Sequence, residues 1–354
     1  MTLVKIDKKQ WDKGLEALQK AYHLFGPAKE KDYYSFTSLD AGEQPELGFA
    51  NSRLSPKAIL FPQSDTIIEY SLDENDEDHH IMKPVEKDSS PRAVLGIRPC
   101  DAKAVTLVNL NFDTSEYQDP YWVKALEATT FVGLACDEPR NTCFCTSTGC
   151  GPYNEEGLDV LLIEGGDHYL AKVLTDKGKA LTEAAGWDTP AGDAAEIETR
   201  KEAAEAKITS TVEMDNLKNQ DLMELHGASF WEDVAFACLN CGTCTYTCPT
   251  CWCFDLQDEV HGKAGKRMKN WDSCMFPLFT VHTTGHNPRG TKTQRVRQRF
   301  MHKLKYFVDK YDKGIMCVGC GRCVSQCPVN IDIRRVCNLM NSYNAAEATC
   351  AVNE

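Results

Sequence analysis

Residues Cys238–Pro249 read CLNCGTCTYTCP, and the same spacing returns at Cys317–Pro328 as CVGCGRCVSQCP. Each segment is Cys-x2-Cys-x2-Cys-x3-Cys-Pro. A turn that brings forward a thiolate at every third residue wraps three corners of one iron–sulfur cube. The fourth cysteine points away and meets a second cube, so two such segments complete each other. The spacing predicts two [4Fe–4S] clusters. Cys238, Cys241, Cys244 and Cys327 hold one, and Cys317, Cys320, Cys323 and Cys248 the other. The prolines turn the chain off each loop without adding an N–H. A zinc ribbon would leave four of these thiols without a role.

Working outward, 68 residues separate Cys248 from Cys317. Within them DLQDEVHGKAGKRM and TQRVRQRFMHKLKYFVDKY both read as helices. The expectation for residues 230–354 is therefore a mainly α-helical ferredoxin-type two-cluster domain. The insert is also basic: Gly262–Lys313 holds 13 Lys/Arg against 3 Asp/Glu, in a chain of net charge −13. Three readings of Arg295, Arg297 and Arg299 stand side by side. They stabilise reduced, negatively charged clusters, they form a solvated helix face, or they dock an acidic partner. No aromatic platform is interleaved with them, which argues against nucleic acid.

Residues 1–185 read as an α/β domain. The first segment, to about Gly26-Pro27, reads as a helix with Trp11, Leu15, Leu18 and Tyr22 on one face. KAILF, AVLGI, TFVGLAC and LDVLLIE then alternate as strands with the helices DAKAVTLVNL and PYWVKALEA, which predicts a largely parallel sheet. Residues 186–229 are acidic and read as an exposed helical connector. Cys100 and Cys136 close two strand-like runs, where ligands gather in open α/β sheets, and Asp101 reads as a helix cap. With Cys143 and Cys145 they form a third cluster or metal site, Cys150 being the substitute ligand. The bland alternative is a set of small buried side chains. Cys251, Cys253 and Cys274 read as packing against the clusters or as a further metal site, and Cys337 and Cys350 as structural.

The 18 cysteines in a chain without a signal peptide fit metal or redox chemistry in the cytoplasm better than a disulfide framework. No run reaches the roughly 18 apolar residues that span a membrane. Neither a dinucleotide fingerprint nor a phosphate loop occurs, so a nicotinamide hydride would have to be split by a flavin on another subunit.

The motifs LGIRPCDAKAV, TFVGLACDEP, NTCFCTSTGCGP, CLNCGTCTYTCPTCWCFD, WDSCMF, RQRFMHKLKY and CVGCGRCVSQCPVNIDI together resemble a family of iron–sulfur proteins found in anaerobic sulfite reductases and, as the β subunit, in sulfhydrogenases. The likeness runs from about residue 57 to 340. It implies a non-catalytic electron-transfer role in a cytoplasmic complex of anaerobic metabolism. A flavin- and [2Fe–2S]-containing subunit would exchange electrons with NAD(P)H. The catalytic partner would be a sulfite reductase, a NiFe hydrogenase or a heterodisulfide-reductase-type enzyme. The resemblance also carries the cluster roles onto the eight motif cysteines, and covers Cys100, Cys136, Cys143 and Cys145. Two other classes stand beside it: a reductase with its own substrate site at an under-ligated cluster, and a redox sensor whose basic insert binds nucleic acid.

Overall fold

The computed structural model describes residues 2–191 and 195–344. Period-two burial starts at once. In Thr2–Asp7 (β1) Val4 and Ile6 face inward, so the chain opens with a strand where a helix was expected. The helix is the shorter Lys8–Leu18 (α1), burying Trp11, Leu15 and Leu18. Gln10 starts it by accepting from the Asp7 amide at 3.1 Å. Tyr22 falls beyond it, and the chain continues into His23–Lys29 (β2) and Tyr34–Ser38 (β3).

KAILF is a single 3-10 turn, Pro56–Ile59, rather than a strand. Pro56 presets it, and Lys57 is drawn toward distant carbonyl groups. Ser64–Ser71 (β4) and Lys83–Pro84 (β5) follow. The other expected elements form: Arg92–Ile97 (β6), Pro99–Phe112 (α2), Pro120–Glu127 (α3), Thr129–Leu134 (β7) and Val160–Glu164 (β8). His168–Val173 (β9) and Asp176–Ala184 (α4) complete this part.

The main sheet has seven strands in the order β1-β9-β8-β7-β6-β2-β3. Its centre, β2-β6-β7-β8, is parallel, and β1, β9 and β3 add antiparallel margins. Apolar residues cover both faces. Trp11, Leu15, Leu18 and Leu181 pack on one, and Leu107, Val108, Phe112 and Trp122 on the other. Both faces of a parallel sheet must be buried, and the near-continuous apolar runs AVLGI and TFVGL carry that requirement.

The acidic connector is less solvated than its composition suggests. Its helix Ala195–Ala206 (α5) puts Ile197 and Ala204 into the same core as Leu161 and Ile163, so one stripe of it is structural. Residues 192–194 lie outside the described residues. Leu222–Gly227 (α6), Phe230–Phe236 (α7) and Thr243–Tyr246 (α8) lead into the first cysteine segment.

The insert departs from expectation in one half. DLQDEVHGKAGKRM is a β-hairpin, Phe254–His261 (β10) and Ala264–Trp271 (β11), so the C-terminal part is not helical throughout. The glycines explain this. Gly262 turns the hairpin at φ 61°, and a Cβ on Gly265 would lie 2.0 Å from the Tyr70 ring. Asp258 and Arg267 face each other across the strands through two bonds of 2.8 and 3.0 Å. The hairpin pairs with β4 in a four-stranded sheet, β10-β11-β4-β5, built from two segments distant in the sequence. The second half is helical as expected: Lys292–Met301 (α9), a π-helical turn His302–Tyr306, and Phe307–Tyr311 (α10). Arg322–Ser325 (α11) and Ile333–Asn341 (α12) end the described chain. No helix among the described residues is long and apolar enough to cross a membrane.

One buried ion pair fastens the second cysteine segment to the main sheet. Asp101 does not cap α2; its carboxylate receives both terminal nitrogens of Arg322, and both side chains are 1% exposed. Arg322 also donates to the Ser52 carbonyl at 2.9 Å, to the Ser52 hydroxyl and to Asn51. Removing one partner leaves the other charge buried and unpaired. Arg322→Met should therefore cost about 3–5 kcal/mol in anaerobic guanidinium unfolding, and adding Asp101→Leu to it should recover most of that loss.

Candidate iron–sulfur site

The two cysteine segments adopt the same backbone. Asn240 and Gly319 take φ 54° and 62°, and Gly242 and Gly321 take 73° and 71°. Each segment thus passes twice through the left-handed region, then starts a one-turn helix, α8 or α11, that carries its third cysteine. Amide groups turn toward sulfur: Asn240 N lies 3.4 Å from Cys238 Sγ, and Ile331 N 3.2 Å from Cys327 Sγ.

The two segments lie against each other. One cavity is lined by Cys238, Cys241 and Cys244 of the first and by Cys327 of the second, with Arg299 in its wall. On the other side Cys248 faces the second segment. Burial pushes the Cys317 thiol up, and the neighbouring Cys323 and Cys248 add to the effect. Burial likewise raises Cys320 to about 12, against the pull of Arg322. Cys241 is the one exposed cysteine of the eight, whereas Cys320 is buried.

The basic helix points inward. Arg295, Arg299 and Lys303, spaced four residues apart, are each buried, while Arg297 is partly exposed and donates to the His226 carbonyl at 2.9 Å. Thiolates of Cys244 and Cys323 hold the Arg299 guanidinium charged against its burial. Lys303 Nζ donates to Thr250 Oγ1 at 2.7 Å, and that hydroxyl lies 3.3 Å from Cys248 Sγ. Among the described residues no carboxylate pairs with Arg299 or Lys303, and Arg299 Nε has no hydrogen-bond partner. Buried cations need compensation, and a thiolate-ligated anionic cluster supplies it, so the donor set fits the group. Of the three readings of this basic stretch, the cluster-facing one describes Arg299, while Arg295 is buried against Asn240 and the Arg289 and Gly290 carbonyls.

Sequence reasoning missed Lys57. Its ammonium reaches the first cysteine segment, donating to the Cys248 and Cys251 carbonyls at 3.0 and 2.9 Å, and lies 4.1 Å from the Trp271 ring centre. Nothing local marks it; the four-residue spacing of Arg295, Arg299 and Lys303 was the available signal for the others.

The N-terminal cysteines gather beside the second segment. Cys100 starts α2 after β6, and Cys136 follows β7. Cys143 and Cys145 are buried, and Cys100, Cys136 and Cys150 partly so. Burial raises the Cys145 thiol, and the neighbouring Cys150, Cys143 and Cys136 add to the effect. Cys100 faces Cys320 and Cys150. Phe144 N donates to the Gly319 carbonyl at 2.9 Å, and Cys143 Sγ lies 3.8 Å from the Cys320 carbonyl oxygen. Among the described residues no group of three or more His, Cys, Asp or Glu side chains is arranged to hold a single metal ion.

Cys251 lies against Cys248, and Cys253 against Cys274. Cys274 and Cys337 belong to the core around Trp231 and Phe300. Cys350 lies outside the described residues.

Residues 237–331 match the family model of the 4Fe-4S dicluster domain. Over 340 residues the chain is 28% identical to the sulfhydrogenase 2 β subunit of Pyrococcus furiosus, covering 94% of this chain and 96% of that one. Residues 237–331 therefore form a 4Fe-4S dicluster domain, and the chain as a whole is similar to that sulfhydrogenase subunit. It carries two [4Fe–4S] clusters and is an electron-transport protein. No solved structure matches it.

The fit of the dicluster unit on the α/β part is tight at Gly321. A Cβ there would lie 2.5 Å from Thr142 Oγ1 and 2.6 Å from its carbonyl oxygen, at φ 71°. Gly321→Ala should lose about 1–2 kcal/mol to backbone strain alone, with the clash in addition. It should appear as a lower anaerobic melting temperature and faster iron loss to a chelator.

Proposed function

We propose that this chain is a non-catalytic electron relay of a cytoplasmic oxidoreductase complex, passing single electrons between two partners, a flavin-containing NAD(P)H subunit on one side and a catalytic subunit on the other. The observation that carries it is the sequence of thiol groups through the molecule. It runs from exposed Cys241, through the Cys238–Cys244 and Cys317–Cys323 segments, to the buried N-terminal set against Cys320. A series of neighbouring thiol groups reaching from Cys241 to the partly exposed Cys136 and Cys150 suits a relay between two partners, whereas a single-substrate pocket needs no such series. When bound, each [4Fe–4S] cluster takes up or gives back one electron.

In this reading Cys238, Cys241, Cys244 and Cys327 ligate the outer cluster, and Cys317, Cys320, Cys323 and Cys248 the inner one. A third cluster takes Cys136, Cys143 and Cys145, with Cys100 or Cys150 completing it. A multi-iron cube suits that set better than a lone ion, because thiolates on its separate iron corners stand further apart than ligands on one ion. The residues around these thiols orient sulfur, exclude water and balance charge. Since the relative is a subunit of a sulfhydrogenase, a NiFe hydrogenase is the favoured catalytic partner among the classes the resemblance implies. The reading with a substrate site at an under-ligated cluster rests on Cys251, Cys253 and Cys274. Of these, Cys274 is buried in the core and Cys253 lies against it.

Cys241→Ala or Cys320→Ala in the assembled complex should abolish NAD(P)H-linked turnover while sparing dye-linked activity at the catalytic subunit. Equal loss of both in a complex that still assembles would set the relay aside. For the third site, Cys143→Ser should remove one cluster's iron and sulfide from the anaerobic protein and leave the other two; an unchanged content would remove it from the scheme.

A further inference from the structure

The buried cations are distributed unequally between the two motif sites. Arg299 stands between them. It lines the cavity of Cys238, Cys241, Cys244 and Cys327, and it interacts with Cys323 of the second site. Arg295 is set back behind Asn240, bonding its side-chain oxygen at 3.1 Å and the Arg289 and Gly290 carbonyls at 3.0 Å.

The second site has two more cations of its own. Lys303 reaches it through Thr250 Oγ1, which lies against Cys248 Sγ, and also donates to the Met316 carbonyl at 3.4 Å, next to Cys317. Lys57 donates to the Cys248 carbonyl itself. Neither ammonium has a carboxylate ion-pair partner among the described residues. Arg322, also beside this site, is neutralised by Asp101 and adds little net charge.

We infer that Lys303 and Lys57 hold the inner cluster, on Cys317, Cys320, Cys323 and Cys248, at a higher reduction potential than the outer one, while Arg299 raises both. The inference rests on the ligand sets proposed above. Reduction adds one negative charge to a cluster, and an unpaired cation nearby favours that state. Burial opposes this, because a low-polarity site disfavours added charge. The same low polarity strengthens the attraction of two unscreened ammonium groups, whereas water at exposed Cys241 screens whatever acts there. The cations therefore decide the order. An electron delivered by a one-electron donor at the Cys241 face would then be drawn inward, toward the N-terminal cysteines.

Redox titration of the anaerobic, cluster-loaded full chain, followed by electron paramagnetic resonance, tests this. Cys241→Ser and Cys320→Ser first assign the outer and inner waves. If both leave every wave and the iron content unchanged, the ligand sets fail before the order is in question. With the waves assigned, the inner one should be the higher. Lys303→Met should shift that wave alone to lower potential, Lys303→Arg should leave it in place, and Arg299→Gln should lower both. Lys57→Met reads the same effect from a different segment, should Lys303→Met fail to load. An inner wave at or below the outer one would overturn the inference. So would an inner wave unmoved by loss of either lysine.

Discussion

Arg322 and Asp101 form the contact on which the arrangement of the molecule depends. Both charges are removed from water, so the pair is no large source of stability; the desolvation cost offsets most of the attraction. What it provides is register. Five donor contacts to Asp101, Asn51 and Ser52 admit a single placement of the second cysteine segment on the carboxyl ends of β6 and β7. The close approach of Gly319 to the Cys145 backbone follows from that placement. So does the position of the N-terminal cysteines against Cys320.

The charge distribution acquires a different meaning once folded. A chain of net charge −13 with a strongly positive insert suggests an outward-facing basic surface. Arg295, Arg299, Lys303 and Lys305 are instead among the buried residues. Lys305 is neutralised by Asp309 at 2.9 Å and by the Leu217 and Lys218 carbonyls. Arg299 and Lys303 are left for the sulfur sites. The π-helical turn at His302–Tyr306 begins just before Lys303, at the point where the helix passes the Cys248 region. Such turns are frequent at functional sites.

The features legible in the sequence were those with a period or a fixed spacing. The two cysteine segments declared a dicluster domain by their repeated spacing, and β6, β7 and β8 declared themselves as apolar runs between helical stretches. Four readings failed for identifiable reasons. TLVKID is too short to outweigh the amphipathic stretch that follows it, although Val4 and Ile6 already alternate. DLQDEVHGKAGKRM has helix-favouring composition, but Gly262 and Gly265 answer to a turn and to Tyr70, a partner almost two hundred residues away. KAILF has strand composition, but Lys57 belongs to a contact with Cys248. Asp101 looked like a local cap because its true partner is Arg322. The last three failures involve a residue whose role is set by a distant segment, which propensity and periodicity do not register.

The four-stranded sheet bears on how the protein can be made. Its middle strands, β4 and β11, lie almost two hundred residues apart in the sequence. As the chain leaves the ribosome, β4 has no neighbour on its β11 side until the hairpin emerges. An open strand edge of this kind invites pairing with other chains. The α/β half is thus a poor candidate for separate expression, and a gene split between the two halves would leave each with an unmated edge. The dicluster domain, residues 237–331, comes late in the chain, so its metallation follows the synthesis of most of the polypeptide.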